Sequence, residues 1–144
     1  RGFDYLEPYK TLAEGNLAKM PNTWEAITVE QAWPKDIYGA TKIWGELLGR
    51  VFSDAHGLSV ICLRLGSVTP ENKPSSIRDY PAYFSHRDVT TLLKAAIDAP
   101  DELKYGIFFG TSDNKWGYRD LSHTHKMLGW KPQDSAEHFG KLPT

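Results

Sequence analysis

Residues 37–65 have the sequence IYGATKIWGELLGRVFSDAHGLSVICLRL, and this stretch decides the fold. A helix is predicted over Ile37–His56 because residues suited to a packed face recur there at helical spacing: Tyr38, Thr41, Trp44, Leu48, Val51, Phe52 and Ala55. Gly57 stands where a left-handed residue ends a helix. The nearly continuous apolar run over residues 58–65 is typical of a strand buried on both faces of a parallel sheet. A helix followed by such a strand indicates an α/β fold.

A second strand and two more helices are predicted downstream. Ser85-His86-Arg87-Asp88 has the pattern of a capping box, so a helix begins there and closes before Pro100. A short buried strand is predicted over Tyr105–Thr111, and a small helix over Asp120–Leu128. The order strand, helix, strand predicts one right-handed crossover unit.

The chain is predicted to hold a single domain, since 144 residues are enough for one sizeable core. Residues 37–144 are expected to form helix, strand, helix, strand and helix. Residues 1–36 are expected to be an irregular lead-in on the surface of a larger body. The tail from Lys131 is polar and is expected to fray.

Composition excludes several classes of function. A formal net charge of −1 argues against a general binder of nucleic acid or membrane surfaces. No apolar run approaches the roughly 18 residues of a membrane span. The single cysteine, Cys62, lies in an apolar run and indicates a buried thiol in a reducing compartment, so a cytoplasmic location is predicted. His123 and His125 lack partners at ligand spacing, so no metal site is predicted, and a solvent-facing pair is expected.

Tyr38 and Lys42 are the candidate chemical groups. A spacing of four places the phenol and the ammonium on one helix face, one turn apart. A cation held beside a phenol favours its phenolate form, and such a group can take a proton from a substrate hydroxyl. The same spacing also occurs in ordinary surface contacts, so the pair alone does not decide between the two interpretations.

Gly45 and Gly49 are predicted to lie near one face of the same helix. Each costs a helix interior about 1 kcal/mol relative to alanine. Together they would let another backbone approach closely. This groove of small residues could serve packing within the protein or between two copies of it.

These residues carry a family resemblance. Tyr38-Gly39-Ala40-Thr41-Lys42 at the start of a helix, followed by Leu63-Arg64-Leu65-Gly66-Ser67-Val68, resembles the short-chain dehydrogenase/reductase superfamily, in its extended NAD-dependent epimerase/dehydratase branch. Three further stretches are similar to uronate dehydrogenases and their relatives: YFSHRDV at 83–89, SDNKWGY at 112–118 and LGWKPQD at 128–134. The resemblance covers roughly residues 37 to 138.

The resemblance implies a role for each matching residue. Tyr38 would be the catalytic acid/base, and Lys42 would assist it and hydrogen-bond the nicotinamide ribose. The turn at Gly66-Ser67-Val68 would lie near the nicotinamide, with Gly66 and Val68 on the cofactor side and Ser67 touching substrate. Arg78 would contact the carboxylate of a sugar acid, which suits its planar guanidinium. The implied cofactor is NAD, and NADP stays open.

Other family features have no counterpart in these 144 residues. The Gly-x-x-Gly-x-x-Gly turn that holds the pyrophosphate is not found, nor is the catalytic serine or threonine upstream of Tyr38. The expected fold is therefore an incomplete Rossmann-like, doubly wound parallel sheet with flanking helices, whose N-terminal nucleotide-binding half is missing.

Three functions remain open at this point. The first is the C-terminal part of an NAD-dependent enzyme that oxidises a uronate, a small sugar acid, to its lactone. The second is a nucleotide-sugar epimerase or dehydratase. The third is a truncated non-catalytic remnant that pairs with a partner, for example as a homodimer, through the Ile37–His56 helix. On its own the chain is expected to be inactive.

Overall fold

The computed structural model describes residues 2–140. The helices are α1 (Tyr9–Ala13), α2 (Ile37–His56), α3 (His86–Ile97) and α4 (Ser122–Leu128), and the strands are β1 (Val60–Leu65) and β2 (Tyr105–Gly110). Short 3-10 segments lie at Gly2–Tyr5, Leu17–Lys19, Ile77–Ala82 and Ala136–Phe139.

Helix α2 has the bounds that were predicted for it. It begins at Ile37 because the Asp36 side chain caps it, accepting a hydrogen bond from the Gly39 amide at 2.7 Å. It ends at Gly57, whose φ of 69° is left-handed and closes the last turn.

The packed face of α2 is not the predicted apolar stripe. Trp44 and Val51 are 65% and 60% exposed, and the helix contacts the sheet through Glu46, Gly49 and Ser53 instead. A Cβ on Gly49 would lie 2.8 Å from a Val60 methyl group, so the helix and β1 approach each other closely at that glycine.

A Cβ placed on Gly45 would meet no described atom within 4 Å. Gly49 therefore belongs to the contact with the sheet, whereas the space beside Gly45, one turn earlier on the helix, is open in the described chain.

Strands β1 and β2 pair in parallel, as predicted. Their register runs from Val60 opposite Tyr105 to Leu65 opposite Gly110. The prediction that β1 is buried on both faces is wrong for the described chain, because its residues are half-buried and Leu65 is 44% exposed. The physical reason is that β1 has one neighbouring strand in the described residues, and its other edge is unpaired.

Two apolar clusters lie against the sheet. One is formed by Phe84, Leu92 and Trp130, against which Leu63 of β1 packs. The other is formed by Ile27, Val29 and Phe109. Helix α4 contacts β2, and Thr124 donates a hydrogen bond to the Phe109 carbonyl at 2.8 Å.

The lead-in is more than a surface excursion, which corrects the prediction for residues 1–36. Leu12, Leu17 and Ile27 are buried. The Ile27 amide donates to the Tyr118 carbonyl at 2.7 Å, and the Asp120 amide donates to the Ile27 carbonyl at 2.8 Å. These bonds join the lead-in to the segment that follows β2.

The tail is also better ordered than predicted. The amides of Gln133 and Asp134 donate to the carboxylate of Asp88 at 2.8 and 3.1 Å, and Ala136 is fully buried. The expected fraying is therefore wrong from Lys131 to Gly140, because long-range hydrogen bonds hold this segment against α3. Residues 141–144 lie outside the described chain.

Candidate active site

The first turns of α2 bring Tyr38 and Lys42 together. The Lys42 Nζ lies 5.0 Å from the centroid of the Tyr38 ring, and the tyrosine is 71% exposed. The phenol is therefore next to a cation and open to a ligand. The geometry fits the predicted acid/base pair, whose catalytic role stays a prediction.

The direction of α2 places this pair at one edge of the sheet. Gly49 lies against Val60 at the start of β1, whereas Glu46 binds Arg64 near its end, so helix and strand run antiparallel. Tyr38 lies eight residues before Glu46, or about 12 Å further along the helix axis. It therefore lies toward the carboxyl edge of β1, where ligands bind in open α/β sheets.

The turn that follows β1 is tightly held. The Gly66 amide donates to the Gly110 carbonyl at 2.7 Å, and a Cβ on Gly66 would lie 2.9 Å from a Thr111 methyl group. The Ser67 amide donates to the Ala82 carbonyl at 2.6 Å. A side chain larger than hydrogen does not fit at Gly66 unless these neighbours move, and the two backbone hydrogen bonds hold the turn against the sheet.

Ser67 and Val68 therefore leave the sheet in a fixed direction. Ser67 is half-buried, and Val68 is 43% exposed. Ser67 follows Arg64 by three residues, or about 10 Å of strand. The predicted cofactor and substrate residues of this turn therefore lie at the same edge of the sheet as Tyr38.

Arg78 lies on the 3-10 segment Ile77–Ala82. Ser76 and Asp79 form a reciprocal capping box that fixes the start of this segment. The Arg78 side chain is exposed and makes no hydrogen bond or ion pair with any residue from 2 to 140. The described contacts do not join Arg78 to Tyr38 or Ser67, so its placement beside them stays a prediction.

An ion pair that the sequence analysis missed supports α2. Both terminal oxygens of Glu46 accept hydrogen bonds from Arg64, at 2.7 and 2.8 Å, and a third guanidinium nitrogen donates to the Val29 carbonyl at 2.8 Å. The hydrogen bond to Glu46 raises the pKa of Arg64. This pair ties α2, β1 and the lead-in together. The signal in the sequence was a charged residue inside an otherwise apolar strand.

The motifs that carried the family resemblance form a buried polar network. Asp88 is fully buried, and its carboxylate accepts hydrogen bonds from the Ser112 hydroxyl at 2.7 Å and from two backbone amides of the C-terminal segment. Ser85 caps α3 by accepting from the Asp88 amide at 3.0 Å. The predicted capping box is therefore half-formed, because the Asp88 side chain turns to the tail instead of to Ser85.

Asp134 completes this network at the surface. It accepts hydrogen bonds from Arg87 and from the Ser85 hydroxyl, the latter at 2.6 Å. The hydrogen bond from Arg87, followed by that from Ser85, holds the pKa of Asp134 below its usual value. The three motif segments therefore have a structural role, which is to hold the C-terminal segment against α3.

The histidines are placed differently from the expected solvent-facing pair. His123 is half-buried and stacks on Phe108, with ring centroids 5.2 Å apart and an interplanar angle of 12°. His125 is exposed. Within residues 2–140, no three potential ligands group closely enough to hold a metal ion. The helices described here are too short or too polar to cross a membrane.

Comparison with known proteins finds relatives of this chain. No family model matches the chain. It is 31% identical to the uronate dehydrogenase of Agrobacterium fabrum, over an alignment that covers 96% of this chain and 61% of the relative. The crystal structure of uronate dehydrogenase from Agrobacterium tumefaciens superposes with a TM-score of 0.73 and 35% identity, over 83% of this chain and 46% of that one. The chain is therefore similar to uronate dehydrogenases over most of its own length.

Other relatives extend the range of named substrates. An NAD-dependent glucose-6-phosphate dehydrogenase of Haloferax volcanii is 35% identical, over 74% of this chain and 40% of the relative. A mutant of the Agrobacterium tumefaciens uronate dehydrogenase, solved in complex with NAD, has a TM-score of 0.72 and 37% identity, over 80% of this chain and 42% of that one.

The chain spans about half the length of the curated relatives that it matches. Its fold class is confirmed as α/β, with a parallel two-stranded sheet and flanking helices that match part of a Rossmann-like fold.

Proposed function

We propose that this chain is the C-terminal portion of an NAD-dependent sugar oxidoreductase, and that the enzyme oxidises a uronate to its lactone. The observation that carries the proposal is the Lys42 ammonium 5.0 Å from the ring centroid of an exposed Tyr38, at the carboxyl edge of β1. The names of the matched relatives, uronate dehydrogenases and an NAD-dependent sugar-phosphate dehydrogenase, support the same reaction class.

In this proposal Tyr38 accepts the proton of the substrate hydroxyl as the adjacent C–H bond breaks. NAD, when bound, supplies the acceptor for the hydride. Lys42 stabilises the negative charge that develops on the phenol and hydrogen-bonds the ribose of the cofactor. Ser67 orients the substrate from the turn after β1, and Gly66 and Val68 border the nicotinamide.

The residues present fit one end of that cofactor. The exposed Tyr38 and Lys42 and the rigid turn at Gly66 offer contacts for a nicotinamide and its ribose. The chain offers no three-glycine turn for the pyrophosphate. We therefore expect calorimetry of this chain alone with NAD to show no measurable binding, and micromolar affinity would contradict that expectation.

Arg78 is the residue that selects a sugar acid in this proposal. Its guanidinium is exposed and has no partner among the described residues, so it is available for a two-point contact with a carboxylate. A second candidate substrate class, neutral or phosphorylated sugars, is favoured by the relatives named glucose-6-phosphate and L-arabinose dehydrogenases. A neutral sugar would gain nothing from Arg78.

The test is NAD reduction by the complete enzyme, of which this chain is proposed to be the C-terminal portion, followed by absorbance with D-glucuronate and D-glucose as substrates. Tyr38→Phe should lower kcat by about 10²–10⁴-fold, the usual contribution of acid/base catalysis. Arg78→Ala should raise KM for glucuronate and leave the reaction with glucose unchanged. Equal loss on both sugars would defeat the assignment to uronates, and full activity of Tyr38→Phe would defeat the mechanism.

We also infer that α2 pairs two copies of the protein. Its apolar side chains are largely exposed, with Ile37 at 83%, Trp44 at 65% and Val51 at 60%. An exposed apolar stripe of this kind is typical of an interaction surface. Trp44→Glu should shift a dimer to monomer in light scattering, and an unchanged mass would contradict this inference.

A further inference from the structure

A surface cavity lies beyond the carboxyl end of β2. Its volume is about 260 Å³, and it is bordered by Ala26 of the lead-in and mainly by the loop that follows β2, including Thr111, Ser112, Asp113, Asn114, Arg119 and Asp120. The residues proposed for catalysis and substrate binding, Tyr38, Lys42, Ser67 and Arg78, do not line it. The cavity therefore shares no lining residue with the candidate active site, although Thr111 in its wall also packs against Gly66.

Arg119 is the unusual group in this cavity. Its Nη1 atom is buried and has no hydrogen-bond partner within residues 2–140, and no ion pair joins it to a carboxylate of that part of the chain. The guanidinium carbon lies 4.7 Å from the centroid of the Tyr118 ring, which holds the side chain in place. Leaving a cationic donor unpaired and buried is costly, and an anionic ligand would remove that cost.

The walls of the cavity are held before any ligand arrives. The Asn114 amide group donates to the Tyr83 carbonyl at 2.8 Å, and its oxygen accepts from the Ala136 amide at 3.0 Å. The Asp120 carboxylate accepts from the amide and the hydroxyl of Ser122, at 2.8 and 2.9 Å. A ligand would therefore not have to order these side chains, which lowers the entropic cost of binding.

The charges of the cavity decide the class of ligand. Arg119 attracts an anion, whereas Asp113 and Asp120 repel a bare one and accept hydrogen bonds. A molecule that carries both a carboxylate and several hydroxyl groups satisfies both requirements, because the carboxylate pairs with the guanidinium and the hydroxyls donate to the aspartates. We propose that this cavity binds a small hydroxylated carboxylate through Arg119, at a site separate from that of the proposed substrate.

The test uses the purified chain, labelled with ¹⁵N and titrated with D-glucuronate, acetate or D-glucose. We expect glucuronate to shift the arginine side-chain signal of Arg119 and the amide signals of residues 111–121. Acetate has no hydroxyl groups and glucose has no carboxylate, so both should bind more weakly than glucuronate. Acetate binding as tightly as glucuronate would overturn the proposed ligand class, and no shift with glucuronate would overturn the site.

Two matched arginine variants locate the site. Arg119→Gln should weaken glucuronate binding by about tenfold or more, the loss expected for one charge-assisted hydrogen bond. Arg78→Gln should leave unchanged the binding that the signals of Arg119 and residues 111–121 report, although it removes the carboxylate contact proposed for the substrate site. The opposite result would place the sugar acid at the proposed substrate site, and so overturn this inference while leaving the proposed function intact.

A third variant guards against a folding defect in Arg119→Gln. Asp113 is exposed, so Asp113→Asn should leave the fold unchanged while it removes one of the charges that repel a bare anion. In this variant, the affinity for acetate should therefore rise toward the affinity for glucuronate. An unchanged preference would contradict the role given to Asp113 and the proposed ligand class.

Discussion

The ion pair between Glu46 and Arg64 should contribute more to stability than any other pair on α2. Its side chains are only 13% and 20% exposed, and two hydrogen bonds of 2.7 and 2.8 Å join them. Glu46→Gln keeps the shape of the side chain and removes its charge. The Arg64 guanidinium would then be half-buried with one backbone acceptor, the Val29 carbonyl, and a neutral amide.

The expected loss follows from this geometry. Breaking a fully buried pair by removing one charge costs about 3–5 kcal/mol. Residual solvent access and the remaining amide oxygen reduce this value, so we expect Glu46→Gln to lower the free energy of unfolding by about 1.5–3 kcal/mol. Asp54→Asn on the same helix is the matched control. Its pair with Arg50 is 57% and 61% exposed, and an exposed pair of this kind contributes little to stability.

Urea unfolding followed by tryptophan fluorescence measures both variants. With a slope of about 2 kcal/mol/M, Glu46→Gln should lower the midpoint by about 1 M, and Asp54→Asn by a small fraction of that. The slopes should match that of the parent chain, which shows that the compactness of the unfolded state is unchanged. A midpoint shift for Glu46→Gln no larger than that for Asp54→Asn would refute the structural role given to this pair.

Two further variants test the fold. Gly45→Ala should stabilise the chain by up to about 1 kcal/mol, because the new Cβ would meet open space. Gly49→Ala should not show this gain, because its new Cβ would lie 2.8 Å from a Val60 methyl group. Equal urea midpoints for the two variants would contradict this packing. The lowered pKa of Asp134 means that its hydrogen bonds stabilise the fold above the ordinary value of 3.8 and are lost as the pH falls through the lower folded value. Asp134→Asn should therefore have a lower free energy of unfolding than the parent chain, by an amount that is constant down to about pH 4 and becomes smaller below that pH. A difference that does not change with pH would contradict the role given to the ionised Asp134 carboxylate.

The elements that the sequence predicted best are those whose signals are local. Asp36 and Gly57 mark the ends of α2 through bonds and dihedral angles of the adjacent residues, and both ends were predicted correctly. The parallel pairing of β1 and β2 followed from the helix between them, because such a helix carries the chain back to the end of the sheet at which β1 began.

The orientation of α2 was not predictable in the same way. Periodicity shows that Trp44 and Val51 share a face, but it does not show what covers that face. Gly49 and Glu46 contact the sheet because one leaves room for Val60 and the other pairs with a charge on β1. Whether a helix packs through its apolar or its small and charged positions depends on the partner surface, which no local pattern contains.

The C-terminal segment shows the same limit at longer range. Asp88 and Gln133 are 45 residues apart, and their hydrogen bond has no counterpart in the local pattern of either segment. The polar residues from Lys131 onward predict a solvent-exposed segment when only neighbours in sequence are considered. The same polar groups become ordered once a buried carboxylate offers them acceptors.

The candidate site depends both on a local helical contact and on the packing of segments that are distant in sequence. These two parts need different tests. Tyr38 and Lys42 meet because a helical turn brings together residues four apart, so their contact follows from the helix alone. Ser67 reaches the same edge only through the antiparallel course of α2 and β1, and Arg78 lies a further loop away. Substitutions of Tyr38 therefore test the chemistry, whereas substitutions of Arg78 test whether that loop delivers a carboxylate contact, and the two answers are independent.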